Sequence, residues 1–115
     1  MTTRVMDQLV VLRPDGDLCE GAACDELEQE LFTYAEQGRQ VLVDLSATRI
    51  LTAHCLGVLA RAQRLAVAAG GNIALCGAAE LHRWLLGVTH LADALPVYAS
   101  QTEARASFDP HPAVA

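Results

Sequence analysis

The sequence predicts an α/β protein: a mixed, mostly parallel sheet of about five strands with about four helices packed on it. Short β-rich runs alternate with longer stretches of helical spacing, in the order β-β-α-β-α-β-α-β-α. Residues 40–45 include three consecutive apolar positions, as in a strand covered on both faces. We expect the first two strands to form an antiparallel edge and the crossovers to be short and right-handed.

The N-terminal part of the chain is predicted to form two short strands and a helix. Residues 9–12 are β-rich and end at the turn-forming residues 13–16, and a very short extended piece begins at Leu18. Between residues 22 and 36, apolar side chains recur at helical spacing opposite a glutamate-rich side. This pattern predicts an amphipathic surface helix that ends at Gly38.

The middle of the chain is predicted to run from the central strand through a polar segment and an exposed tip into a second helix, about 55–69. The first N–H groups of such a helix carry partial positive charge, which suits an anion or a docking protein. The residues expected to face the core are Leu56, Leu59, Gln63, Ala66 and Val67. Those expected on the exposed strip are Gly57, Ala60, Arg61, Arg64 and Ala68. Gly70 fits the left-handed position that closes many helices.

The C-terminal part is predicted to hold a strand at 72–76, a helix at 79–86, a strand at 96–98 and a helix at 101–108. The core-facing residues of the first of these helices are expected to be Leu81, Trp84, Leu85 and Val88. Ser100 and Glu103 have the spacing of a capping box for the last helix. Prolines prevent residues 109–115 from continuing it, so we expect a single domain at 1–108 and a frayed tail.

Charge and hydropathy exclude several classes of function. The chain of 115 residues has 8 basic and 14 acidic residues, a net charge of −6, and no basic stripe, so nucleic acid and anionic membrane surfaces are not expected as partners. No apolar run is long enough to span a bilayer, and residues 1–4 are not followed by a signal-type apolar core. We therefore expect no direct membrane insertion and a cytoplasmic location.

The four cysteines, Cys19, Cys24, Cys55 and Cys76, form no CxxC pair and have no spacing typical of a zinc site. In a reducing compartment such cysteines are mostly small apolar core residues. The sequence therefore predicts no metal and no cofactor.

Five segments, taken together in this order, resemble the STAS domain, the module of bacterial anti-sigma-factor antagonists that also occurs on sulfate transporters. The segments are G-D-L at 16–18, V-L-V-D-L-S at 41–46, L-G-V-L at 56–59, G-G at 70–71 and L-P-V-Y at 95–98. The resemblance covers roughly residues 9–108 and implies a STAS-like single domain. It also implies a regulatory module that binds another protein and is not an enzyme.

The loop before the second helix departs from the family pattern. In the family it reads D-S-S-G or D-S-T-A, and a partner kinase, itself the anti-sigma factor, phosphorylates the Ser or Thr after the Asp. The unphosphorylated antagonist binds that partner, and the phosphorylated one releases it. Here Thr52, Ala53, His54 and Cys55 occupy the four positions. Ala53 has no hydroxyl group, so the family's switch cannot operate at that position.

The resemblance implies a partner-binding site formed by Thr52, Ala53, His54, Cys55, Leu56, Gly57 and Arg61. Its partner would be an anti-sigma factor/serine-kinase-like protein, and without an acceptor its binding would be constitutive. One alternative moves the phosphate to Thr52, although side-chain alternation in an extended segment would turn that hydroxyl inward. Another makes the chain a cytoplasmic subunit of a membrane transport complex. Whether the module acts alone or as a homodimer stays open.

Two chemical interpretations of the tip are weaker. A thiol at a helix N-terminus, such as that of Cys55, can be nucleophilic, but adjacent residues do not face each other and no third orienting group accompanies His54. A metal site formed by this pair with His82 or His90 has the same weakness. We expect those two histidines to be exposed or to cap a helix.

Overall fold

The computed structural model describes residues 2–6, 9–18, 22–90 and 95–108 of the chain. The strands in this part are β1 Thr2–Met6, β2 Leu9–Arg13, β3 Gly16–Leu18, β4 Gln40–Asp44, β5 Thr48–Leu51, β6 Asn72–Cys76 and β7 Val97–Tyr98. The helices are α1 Ala22–Glu36, α2 Ala53–Ala68, α3 Glu80–Val88 and α4 Gln101–Phe108. Residues 91–94 and the predicted tail at 109–115 lie outside the described residues, as does Cys19.

Five strands form the main sheet in the order β1-β2-β4-β6-β7. β1 is antiparallel to β2, and the other neighbours are parallel. Val41 of β4 lies between Val10 of β2 and Ile73 of β6, so three β-branched side chains meet at the centre of the sheet. The predicted α/β class, with a mostly parallel sheet and an antiparallel edge, is confirmed.

The identity of the edge strand was predicted wrongly. The antiparallel neighbour of β2 is β1, which the sequence pattern did not reveal because most of its side chains are exposed. The short strand β3 pairs instead with β5, in parallel, as a separate two-stranded sheet. β5 was also missed, since only its two end residues, Thr48 and Leu51, are buried.

The two faces of the main sheet bury cores of different size. The larger core packs α1, α2 and part of α3 against alternate strand residues such as Val10, Val41 and Ile73. The smaller core lies on the other face, where Ala104 of α4 packs with Val11, Leu42, Ala74 and Cys76. Successive side chains of a strand point to opposite faces, so each central strand contributes to both layers.

Three helices follow the sequence pattern closely. α1 and α4 have the predicted bounds, and the Glu103 amide donates to Ser100 Oγ at 3.2 Å as expected for the helix start. Gly70 has a φ value of 92°, the left-handed conformation predicted for the end of α2, and Gly38, where α1 was predicted to end, is also left-handed with φ 68°. α2 begins two residues earlier than predicted, and its Val67, which we placed in the core, is exposed.

The orientation of α3 was predicted wrongly. Leu81, Trp84 and Val88 are 64%, 61% and 52% exposed, whereas the buried residues are His82 and Leu86. Leu85 is half-buried against the larger core. Hydrophobic periodicity identifies an apolar stripe, but it does not establish which neighbour, if any, covers that stripe.

Candidate functional site

The candidate site lies where the chain leaves β4 and enters α2. The Leu45 amide donates to the Cys76 carbonyl at 2.8 Å, which holds the chain against the end of β6. The Ser46 amide donates to Asp44 Oδ1 at 2.9 Å and turns the chain away from the sheet. These two hydrogen bonds, at the carboxyl ends of the parallel strands β4 and β6, therefore determine where the chain leaves the sheet.

Asp44 is a buried carboxylate that also reaches the opposite layer. Gln101, the first residue of α4, donates from Nε2 to Asp44 Oδ2 at 2.7 Å. Burial by itself would raise the pKa of Asp44, but the hydrogen bonds from Gln101 and Ser46, with the charge of Arg13, hold this pKa below its usual 3.8. The carboxylate is thus ionised, and it accepts hydrogen bonds from the Ser46 amide and from the Gln101 side chain.

The β3–β5 pair supports the segment before α2. Gly16 donates its amide to the Ala47 carbonyl at 2.9 Å, and Thr48 Oγ1 donates to the Pro14 carbonyl at 3.2 Å. Within β5 the side chains of Arg49 and Ile50 are exposed, and Ile50 is 42% exposed. An apolar side chain therefore lies on the surface two residues before the helix cap.

Thr52 is the N-cap residue of α2. Its backbone is extended, with φ −99° and ψ 164°, and its side-chain oxygen accepts from the Cys55 amide at 3.5 Å. Its carbonyl accepts from the Leu56 amide at 3.0 Å. The side chain is half-buried and lies along the helix start.

The first turns of α2 present a small exposed surface, which we call the tip surface: Ile50, Ala53, His54, Gly57 and Arg61. Arg61 pairs with Glu28 of α1 at 3.4 Å, and both side chains are partly exposed. Of the predicted contact residues, the structure brings Ala53, His54, Gly57 and Arg61 together at this surface, with Thr52 at its border. Ile50 and Glu28 were missed, because β5 was not recognised and ion pairs between helices leave no local pattern.

Cys55 and Leu56 are corrected as contact residues, because their side chains are buried. Cys55 is 0% exposed and lies one turn before Leu59, so it belongs to the same core-facing stripe of α2. The sequence interpretation placed residues 52–55 at an exposed tip and began the helix at about residue 55, whereas the helix already begins at Ala53.

The thiol of Cys55 lies 2.8 Å from the thiol of Cys24 in α1, sulfur to sulfur. Burial, the hydrogen bond with Cys55 and the nearby acidic residues raise the pKa of Cys24 to about 12. Neither thiol is open to a substrate in this conformation, so the geometry offers no support for nucleophilic catalysis at the tip.

The histidines do not converge on the tip. His54 is exposed on it, and His90 is exposed at the end of α3 with φ 61°. His82 is only 2% exposed, so the expectation of an exposed or capping residue is wrong there, and its Nδ1 has no hydrogen-bond partner among the described residues.

Within residues 2–6, 9–18, 22–90 and 95–108, no three His, Cys, Asp or Glu side chains are grouped to hold a metal ion. In the same ranges, no helix is both long and apolar enough to cross a membrane.

Comparisons with known proteins place this geometry in a structural context. No protein-family model matches the sequence, and no curated protein matches it. Solved structures do match. The Thermotoga maritima protein TM1081 shares 20% identity with the chain, at a TM-score of 0.81 over 92% of each chain.

Two further similar structures have described roles. The anti-sigma factor antagonist SpoIIAA of Bacillus, in its unphosphorylated form, shares 17% identity at a TM-score of 0.77, over 92% of this chain and 93% of its own. It has also been solved in its phosphorylated form. The STAS domain of a SulP transporter from Vibrio cholerae shares 16% identity at a TM-score of 0.69, over 90% of this chain and 83% of that one. The likeness shows that the chain has the STAS fold, as the sequence resemblance predicted.

Proposed function

We propose that the chain is a non-catalytic STAS-type regulatory module that docks on an anti-sigma factor/serine-kinase-like protein through the tip surface. The module lacks the usual phosphorylation switch at Ala53 and binds constitutively. It acts in bacterial signalling to transcription, in the cytoplasm, without a cofactor and without contacting nucleic acid. The domain spans residues 1–108.

The observation that carries the proposal is the position of Ala53. Ala53 is the first residue of α2 and is exposed. The chain has the same fold as SpoIIAA, a protein that has been solved in both unphosphorylated and phosphorylated forms. Phosphate at that position would add close to two negative charges at the centre of the tip surface. A methyl group there cannot take up phosphate, so phosphorylation of residue 53 cannot change the charge of the tip surface.

The composition of the tip surface fits protein docking. Ile50 and Ala53 supply apolar area, Gly57 leaves a flat place on the helix, and His54 and Arg61 offer donors at its border. A Cβ built on Gly57 has nothing within 4 Å, so a partner backbone has room to approach there. Apolar area with a polar rim is typical of protein interfaces.

Isothermal titration of the full chain against candidate kinase partners tests the docking. Gly57→Arg places a long charged side chain at the centre of the tip surface, and we expect it to weaken binding at least about tenfold, since one misplaced charge costs more than 1.4 kcal/mol at an interface. The matched control is Thr102→Arg on the exposed side of α4, on the opposite face of the sheet, which should bind like wild type. Equal affinity of both variants would reject the tip surface.

Restoring the acceptor tests the lost switch. The Ala53→Ser variant, incubated with the partner kinase and ATP, should gain the mass of one phosphate and then release the partner. The wild-type chain should gain none and stay bound. An Ala53→Ser protein that binds the kinase and remains unphosphorylated would contradict the assignment of residue 53 as the acceptor position.

A second candidate function is that of a cytoplasmic subunit of a membrane transport complex. The similarity to the STAS domain of a SulP transporter favours it. Co-purification with permease and ATPase subunits, and no binding to kinases, would support this alternative.

Phosphorylation at Thr52 is a third candidate, favoured by the position of its half-buried hydroxyl at the positive end of α2. Incubation of wild type with kinase and ATP distinguishes it. A mass gain that maps to Thr52 and is lost in Thr52→Val would establish a switch moved by one residue.

A further inference from the structure

Two cysteines from different helices meet under the tip surface. Cys24 lies in the first turn of α1 and Cys55 in the first turn of α2, and both are 0% exposed. Their sulfur atoms are 2.8 Å apart, about 0.8 Å more than the length of a disulfide bond. Bond formation requires the two sulfur atoms to approach each other by this amount.

The bond would connect residues that are far apart in sequence but adjacent in the fold. The two cysteines are separated by 31 positions. The Cys55 amide also donates to the Thr52 side chain that caps α2. A covalent link at this point would therefore fix the helix start on which the tip surface is built.

We propose that Cys24 and Cys55 are an oxidation site, at which a peroxide converts the two thiols into a disulfide that joins the first turns of α1 and α2. This assignment does not depend on the docking partner. The disulfide would give the fold a second covalent state, next to the start of α2.

The chemistry balances with hydrogen peroxide as the oxidant. One thiol loses its proton, its sulfur attacks a peroxide oxygen, and the O–O bond breaks; the departing hydroxide takes up that proton to become water, which leaves a sulfenic acid. The second thiol then loses its proton, its sulfur attacks the sulfenic sulfur, and the S–O bond breaks; the departing hydroxide takes up that proton and leaves as a second water. The two thiols lose two electrons and two protons, and the peroxide is reduced to two waters.

Burial makes the reaction slow, and the contact between the two sulfur atoms makes its product selective. The thiols are covered in the closed fold, so peroxide reaches them through local opening of a helix end. Once a sulfenic acid forms, the second sulfur is already adjacent, and disulfide formation precedes any further oxidation. We therefore expect a single product from this pair.

The full chain is reduced, desalted, treated with hydrogen peroxide while folded, and then unfolded, alkylated and weighed. Compared with the untreated reduced chain, we expect two fewer alkylated cysteines and, before alkylation, a mass lower by two hydrogen atoms. Peptide mapping should show a cross-link between Cys24 and Cys55. Closing a loop of this length should raise the Tm by on the order of 10 °C, reversed by dithiothreitol.

The other cysteines supply matched controls. Cys76→Ala, on the opposite face of the sheet, and Cys19→Ala should both keep the cross-link and the rise in Tm. Cys55→Ala should lose both. A cross-link that contains Cys19 or Cys76, or four alkylated cysteines after peroxide treatment, would overturn the proposal. The wild-type peptide map decides the question even if Cys55→Ala does not fold.

Discussion

Gln63 shows how a single polar residue is used inside the core. It is 5% exposed, and its Oε1 accepts from the Ile73 amide at 2.7 Å while its Nε2 donates to Asn72 Oδ1 at 2.7 Å. The side chain thus joins α2 to the start of β6. A buried amide of this kind is stable only because both of its ends are paired.

Replacing Gln63 with leucine leaves the Ile73 amide without this acceptor. We expect Gln63→Leu to lower the free energy of unfolding by about 1–3 kcal/mol, the penalty for an unsatisfied buried donor. Urea denaturation followed by circular dichroism measures it. Arg64→Leu, the same new side chain at the exposed neighbouring position, should stay within about 0.5 kcal/mol of wild type.

The Thr52 side chain is the cap of α2. We expect Thr52→Ala to lower the free energy of unfolding by about 0.5–1 kcal/mol, the low end for a cap, because its bond to the Cys55 amide is long at 3.5 Å. Thr52→Ser keeps the hydroxyl and should recover most of the loss in the same denaturation experiment. A cost shared equally by both variants would assign the effect to the methyl group instead.

At the scale of elements, the turns that end α1 and α2 lie against each other. A Cβ added at Gly38 would collide with the carbonyl oxygen of Ala69, whereas one added at Gly70 meets nothing within 4 Å. Both glycines have positive φ. Only Gly38 therefore combines a left-handed backbone with a close approach between the two turns.

Alanine variants at these two glycines separate the two effects. Gly70→Ala should cost about 1–2 kcal/mol of unfolding free energy for the left-handed backbone alone. Gly38→Ala should cost clearly more, because the Ala69 carbonyl must also move. Denaturation midpoints of the two variants test this order. Equal midpoints would mean that the contact is relieved without cost.

The elements differ in how far local sequence determines them. α1, α4 and the glycine turns were predicted correctly because periodicity, caps and left-handed glycines are local signals. β1 and β5 were missed because their pairing, and not their own pattern, makes them strands. The face of α3 depends on which tertiary neighbour it meets, so its stripe was identified but assigned to the wrong side.

For the candidate site too, the sequence predicted the features that local pattern determines and missed those that depend on tertiary packing. The exposure of His54, Gly57 and Arg61 was correctly expected, since they lie opposite the core stripe of α2. The burial of Cys55 could have been found by extending that stripe one turn backwards from Leu59. The contact of Cys55 with Cys24 could not, because it depends on how α1 and α2 pack.

At the scale of the whole molecule, Asp44 couples the two layers on either side of the sheet. Its folded-state pKa lies below 3.8, so the ionised form is stabilised by folding. This contribution is complete above the unfolded pKa and is lost as the pH falls through the folded value. Acid should therefore weaken the attachment of α4 to the end of β4.

We expect the free energy of unfolding to decrease between about pH 5 and pH 2, and Asp44→Asn to show a smaller decrease over that window. Urea titrations at several pH values measure both slopes. A wild-type slope in Asp44→Asn would show that its carboxylate does not couple folding to pH.

The exposed stripe of α3 has a practical consequence for spectroscopy. Trp84 is the only tryptophan of the chain, and its indole ring lies on that stripe in contact with water. The native protein should emit at nearly the wavelength of free indole and be quenched readily by iodide. Its emission wavelength should therefore change little on denaturation. It should instead shift when a molecule binds to the exposed side of α3.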